Sequence, residues 1–225
     1  MWEVLSEFVQ RVCKGRDPSH GHEHMEKVAK NARYIYENTE SDYKNDHVYI
    51  MLLAASFLHD VNDYKYDPDK LLTKQMYDFL MHYFDENDTK LIMNIIDRVS
   101  YSKENNAIVL KQKLDWQEVL GDVGCFIRDI VSDADKLEAI GKIGIQRCIE
   151  YNTHKYFEKN GNNISREQLV NDIITHANEK LLRLEDEFIR TKVGKQMAEP
   201  LHEEMITAID NIDNNEKINA VHSTS

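Results

Sequence analysis

Three short stretches hold the side chains able to do chemistry. "SHGHEH" brings His20, His22 and His24; "FLHDVND" brings His59, Asp60 and Asp63; "VSDADKL" brings Asp133 and Asp135, with Lys136 next. Imidazole and carboxylate together suit divalent metals of middling softness. Each group also has a structural reading: His24 as a hydrogen-bonded core histidine, and His59-Asp60, Asp133 and Asp135 as helix caps. With 10 His and 20 Asp in 225 residues, a His-Asp pair is expected about once by chance, so the dipeptide alone decides nothing. A single metal, however, accounts for three segments each carrying polar groups into apolar surroundings, where unpaired they would be costly.

The elements that must position these groups read as helices, because the apolar residues recur with helical rather than alternating period. Trp2, Leu5, Phe8, Val9 and Val12 make one stripe that stops at Gly15. The next helix takes Asp17-Pro18 as its start signal and Val28, Ala32 and Ile35 as its buried face. His24 heads that face, with His20 one turn before it. Residues 46–60, including "MLLAASFLHD", are apolar nearly all round, which predicts a central helix ending in the His-Asp pair. Further helices are expected near 69–83, 87–99, 115–131 and 134–155, the last beginning at Asp133 and Asp135. After the loop "EKNGNNIS" come helices at about 166–190 and 195–213, with a kink or break at Pro200. Residues 100–114 lack clear periodicity and read as a mobile loop over a site. The expected class is all-α, one domain over 1–213 with a flexible tail at 214–225.

Composition limits the function classes. The chain has 40 acidic against 28 basic residues, net −12, which argues against coating nucleic acid, since that rests on neutralising phosphates. A small phosphorylated ligand held by a local basic cluster remains compatible. Cys13, Cys125 and Cys148 are widely spaced and read as reduced thiols of a cytosolic-type compartment. The N-terminus has acids where a signal peptide has bases, and the run Ile50–Leu58 is far below the ~20 residues a bilayer needs. A soluble, cytoplasmic protein without membrane contact is expected. The sequence sets no oligomeric state.

The order H…HD…D resembles the HD-domain metal-dependent phosphohydrolase superfamily. More narrowly it is similar to stand-alone HD hydrolases of bacteria and fungi that begin S-H-x-x-x-H-x-x-[RK]-V. The matching residues are "DPSHGHEHMEKV", "AASFLHDVNDYKY", "SDADKLEAIGKIGIQR" and "HANEKLLRL", with "TKVGKQMAEPLHEEM" matching more loosely, together about residues 15–207. The resemblance implies a compact multi-helix bundle with the metal site between central helices. It implies His24, His59, Asp60 and Asp135 as ligands of one divalent ion, whether Mn²⁺, Fe²⁺, Co²⁺, Ni²⁺ or Mg²⁺. It also implies Asp63 as the group that holds or activates the attacking water, and His20 at a position behind the ligands or facing the substrate; His20 is the reserve for handling that water. The chain departs from many relatives at Gly21, where they have Asp, and at Lys27, where they have Arg. Both differences bear on substrate preference, since Lys keeps the charge but loses bidentate geometry.

The activity so implied is hydrolysis of a phosphate ester or anhydride, with a nucleotide as the expected substrate, releasing phosphate or pyrophosphate. Lys65, Arg98, Lys103, Lys136 and Lys180 lie near the motifs in sequence and are the candidates for binding the substrate's remaining charge. Two alternatives stand beside this reading. One is a non-catalytic module that binds a nucleotide. The other is a two-metal phosphodiesterase or oxygenase, which needs further histidines between Asp60 and Asp135, where only His82 occurs.

Overall fold

Asn45 starts the helix that organises the molecule: its side chain accepts from the Val48 amide at 3.0 Å, and Asp46–Leu58 follows as a helix. Every residue from Met51 to Leu58 is buried, as its all-round apolar sequence requires. A computed structural model describes residues 1–17, 20–160 and 165–223; the side chains of 154–160, 166 and 213–223 lie outside that description. Ten α-helices occur among the described residues and no strand does. They are α1 (Trp2–Val12), α2 (His22–Asn38), α3 (Asp46–Leu58), α4 (Leu71–Leu80), α5 (Glu86–Asp97), α6 (Tyr101–Val109), α7 (Trp116–Leu137), α8 (Gly141–Asn160), α9 (Arg166–Glu179) and α10 (Lys192–Ser223). The all-α expectation holds.

The chain divides into two compact units, Met1–Asp135 with Arg190–Gly194, and Lys136–Ile189 with Lys195–Ser225. In the first, α3 packs against α1, α2 and α5. The expected stripes are the buried ones: Leu5, Phe8 and Val9 on α1, and Val28, Ala32 and Ile35 on α2. Trp2 meets Phe57 edge-on at 4.8 Å between ring centroids, and Phe8 stacks on Phe79 at 4.2 Å. In the second unit α8 and α9 pack together around Cys148, Ile173 and Ala177. There α10 buries Ala198, Met205 and Ile209.

Four expectations need correction. Residues 100–114 are not a loop, for Tyr101–Val109 forms α6. Its buried face is Glu104 with Ala107, so apolar periodicity does not reveal it. Glu104 is 1% exposed because it binds Arg128, itself fully buried, at 2.8 Å, and also Arg190; both guanidinium groups lie over the Trp116 ring. Second, Asp133 and Asp135 do not open a helix. They lie in the last turns of α7, which bends at Gly121, where φ is +62°. The Asp133 carboxylate accepts instead from the amides of Arg190 and Thr191, at 2.9 and 2.7 Å, just before α10 begins. Third, the helix expected over 166–190 ends at Glu179 and continues as a 3₁₀ turn at Leu181–Arg183 and a π turn at Leu184–Phe188. Fourth, α10 does not break at Pro200 and its backbone is helical to Ser223. Burial of Ala198 and Met205 on either side offsets the hydrogen bond that proline forfeits. Pro18 and Ser19 of the expected start signal, and Gly161–Ile164 of the expected loop, lie outside the described residues.

Candidate metal centre

Three helices of the first unit bring their polar groups to one point. His24 stands in the first turn of α2, on the face it shares with Val28 and Ala32, and is 5% exposed. His59 follows α3 directly, with Asp60 beside it, and Asp135 comes from the end of α7. One ligand atom from each of His24, His59 and Asp60 lies within 4.8 Å of the others. Asp135 Oδ1 completes the set, 3.3 Å from His24 Nε2 and 3.5 Å from His59 Nε2. The two imidazoles are buried, whereas the carboxylates of Asp60 and Asp135 are a quarter or more exposed, so the cluster opens on its acidic side.

The donor set fits a cation. His59 Nδ1–H donates to the Ser56 carbonyl at 2.8 Å, which leaves Nε2 as the free ring nitrogen. That buried Nε2 has no hydrogen-bond partner, and neither has Nδ1 of His24. A buried nitrogen aimed at a carboxylate at 3.5 Å, too loosely for a hydrogen bond, is what a shared positive charge would satisfy. The electrostatics agree. Burial alone would lower the His59 pKa, but the carboxylates of Asp135 and Asp60 outweigh it and raise it from 6.5 to about 9. Burial works against the Asp135 charge too, and His24 and His59 still hold that carboxyl well below the usual range. Without a metal, a proton supplies the positive charge the site favours. Among the described residues this is one group of such spacing.

A second layer lies on the open side. His20 Nε2 is 3.8 Å from Asp60 Oδ2, and its Nδ1 meets the Asp17 carboxylate at 3.0 and 3.2 Å. Asp17 Oδ2 also accepts from the Tyr66 hydroxyl and, at 3.2 Å, from Lys65 Nζ. These bonds overcome partial burial and hold the Asp17 carboxyl far below its ordinary value. Arg16 packs its guanidinium over the Tyr66 ring, 4.3 Å from the centroid, and donates to the carbonyls of Asp60 and Val61 at 3.0 and 2.6 Å. The loop that carries Tyr66 is pinned further on by buried Asp67, which accepts from the amides of Leu72 and Thr73 at the start of α4.

The remaining candidates divide. Asp63 is half-buried, and its Oδ1 accepts from the Lys65 amide at 2.9 Å, shaping the loop. His22 turns away to Ser6 Oγ at 2.7 Å. Lys65 stands beside the cluster through Asp17. Arg98 is engaged by Asp115, and Lys103 by Asp97. Lys136, 2% exposed, and Lys180 belong to the second unit. Sequence reasoning missed Arg16, Asp17 and Tyr66 as site residues. The one available signal is the carboxylate three residues before His20, which its place beside Pro18 marks as a helix start.

No family model matches the chain. It is 26% identical over 206 residues to YpgQ of Bacillus subtilis, an uncharacterized protein, covering 91% of this chain and 88% of that protein. It is 35% identical over 123 residues to the uncharacterized L803 of Acanthamoeba polyphaga mimivirus, covering 53% of this chain and 46% of that one. Among solved structures, YpgQ in complex with ADP superposes with a TM-score of 0.65 at 24% identity, over 95% of this chain and 94% of that one. An HD-superfamily hydrolase from Bacillus thuringiensis gives 0.67 at 24% identity, over 96% of each chain. The chain therefore has the all-α HD-domain fold that its motifs resemble. No helix among the described residues is long and apolar enough to cross a membrane.

Proposed function

We propose that this protein is a metal-dependent phosphohydrolase acting on a phosphate ester or anhydride of a nucleotide. The observation that carries the reading is the convergence of His24, His59, Asp60 and Asp135, with the buried Nε2 of His59 left without a hydrogen-bond partner. These four residues would hold one divalent ion. Bound there, such an ion supplies a water of lowered pKa and draws negative charge from a phosphoryl oxygen. The mixed nitrogen and oxygen donors accept Mn²⁺, Fe²⁺, Co²⁺, Ni²⁺ or Mg²⁺, and cell supply chooses among them.

The chain's own residues do the rest. Ser56 fixes the His59 ring through its carbonyl, so that Nε2 faces the carboxylates. Arg16 holds the backbone of Asp60 and Val61, which keeps the His-Asp pair from shifting. His20 stands on the open side with Nε2 toward Asp60, where it can hold or pass a proton at that atom. Asp63, favoured by the motif for handling the water, has one oxygen committed to the Lys65 amide, so its other oxygen serves that role. Lys65, exposed on the same side, is the cation best placed to meet substrate phosphate. YpgQ in complex with ADP, on the same fold, supports a nucleotide as the substrate class.

The test is metal content after purification, followed by release of phosphate or pyrophosphate from a panel of nucleotides with added Mn²⁺. Turnover that a chelator abolishes and Mn²⁺ restores is expected. Metal-loaded protein that stays inert, yet shifts its melting temperature with one nucleotide, would replace hydrolysis with the binding-module reading.

A further inference from the structure

The contacts around His20 assign a role to a residue that the sequence marks only as a helix start. We infer that Asp17 is a positioning residue: it holds the proton of His20 on Nδ1 and turns the bare Nε2 toward the open side of the candidate metal centre. The inference rests on the phosphohydrolase reading for its catalytic consequence, though not for its geometry.

A chain of six contacts supports it. The Asp17 carboxylate meets His20 Nδ1 with both oxygens, at 3.0 and 3.2 Å. An ionised carboxylate only accepts, so Nδ1 is the nitrogen that carries hydrogen. The opposite nitrogen, Nε2, is the one 3.8 Å from Asp60 Oδ2. That is too far for a direct hydrogen bond and leaves Nε2 free to meet a substrate or water atom on that side. Asp17 is itself held from the far side by the Tyr66 hydroxyl and Lys65 Nζ. Tyr66 in turn stacks under Arg16, which is bonded to the carbonyl of Asp60. The chain of contacts closes on the residue it serves, so His20 and Asp60 are positioned by one framework. A carboxylate behind an imidazole selects the tautomer and orients the ring, and losing it leaves a histidine that points elsewhere or presents the wrong nitrogen.

A structural role alone would make Asp17 a loop anchor, with Tyr66 and Lys65 as the partners that matter. The two roles separate in three variants. In ¹⁵N-labelled protein without metal, at a pH where the ring is neutral, the His20 ring nitrogens report the tautomer directly. Wild type should show hydrogen on Nδ1, D17A should lose that signature, and Y66F should retain it. With Mn²⁺ and the nucleotide that the panel identifies, D17A should lower kcat about a hundredfold with KM changed by no more than about twofold and the metal content unchanged. In the H20A background, D17A should add no further loss, because the two residues act as one unit. An unchanged His20 signature in D17A overturns the inference, as does a D17A effect that persists undiminished in H20A. Loss of the signature in Y66F equal to that in D17A overturns it in favour of the loop anchor. Should wild-type protein hydrolyse nothing, the phosphohydrolase reading falls, while the ring-nitrogen experiment still decides the positioning role.

Discussion

Raising the pH over the metal-free protein should weaken the fold and strengthen metal binding at the same site. The His59 pKa is raised from 6.5 to about 9, with Asp135 and Asp60 overcoming the effect of burial. A folded-state value above the unfolded one means that the stabilisation is complete below 6.5 and is lost as pH rises through 9. The difference corresponds to about 3 kcal/mol, at roughly 1.4 kcal/mol per pH unit. The lowered Asp135 pKa reports the same contact from the other side, and its share is lost as pH falls below 3.8. Metal-free protein should therefore be most stable between about pH 4 and 6.5 as far as this pair is concerned. A metal needs the neutral ring, so its binding must expel the His59 proton. Between about pH 6.5 and 9 the apparent dissociation constant should fall about tenfold per pH unit and then level off. Calorimetric titration with Mn²⁺ at pH 8, in two buffers of different ionisation enthalpy, should find about one proton released per ion. Melting temperature against pH, with and without metal, measures the stability arm. A metal-free melting temperature that stays level from pH 6.5 to 9, or binding with no proton release, would refute the reasoning.

Asp60→Ala should abolish both metal retention and turnover, whereas Asp63→Ala should keep the metal and lose most of the rate; equal metal loss in the two contradicts their separate roles. Glu104→Ala strands the fully buried Arg128 guanidinium and should cost about 3–5 kcal/mol in urea unfolding, with Glu104→Gln costing less. A loss under about 1 kcal/mol for Glu104→Ala would mean that water or Asp129 takes over the charge. Phe57→Ala, at a position with no exposed surface against Trp2, should cost about 3–5 kcal/mol while metal content per folded molecule is unchanged.

Local chemistry alone determined a good deal here. The helical class, the buried stripes of α1 and α2 and the all-round burial of α3 follow from the period and placement of apolar residues, because burying such residues drives the packing. The candidates His24, His59, Asp60 and Asp135 were legible as an ordered set of ligand types. What period-based reading could not see was polar burial. Glu104 lies on α6 as a buried charge, so the segment had no apolar stripe and read as a loop until Arg128 came to meet it. Asp133 carried the signature of a cap, and it does cap backbone amides, but those of Arg190 and Thr191, 57 and 58 residues away. Only the tertiary structure turned Asp17 from a helix-start residue into the partner of His20, and Tyr66 into the partner of Asp17. A hydrogen bond depends on where two groups meet in space, and spacing along the chain says that only for groups within a turn or two of each other.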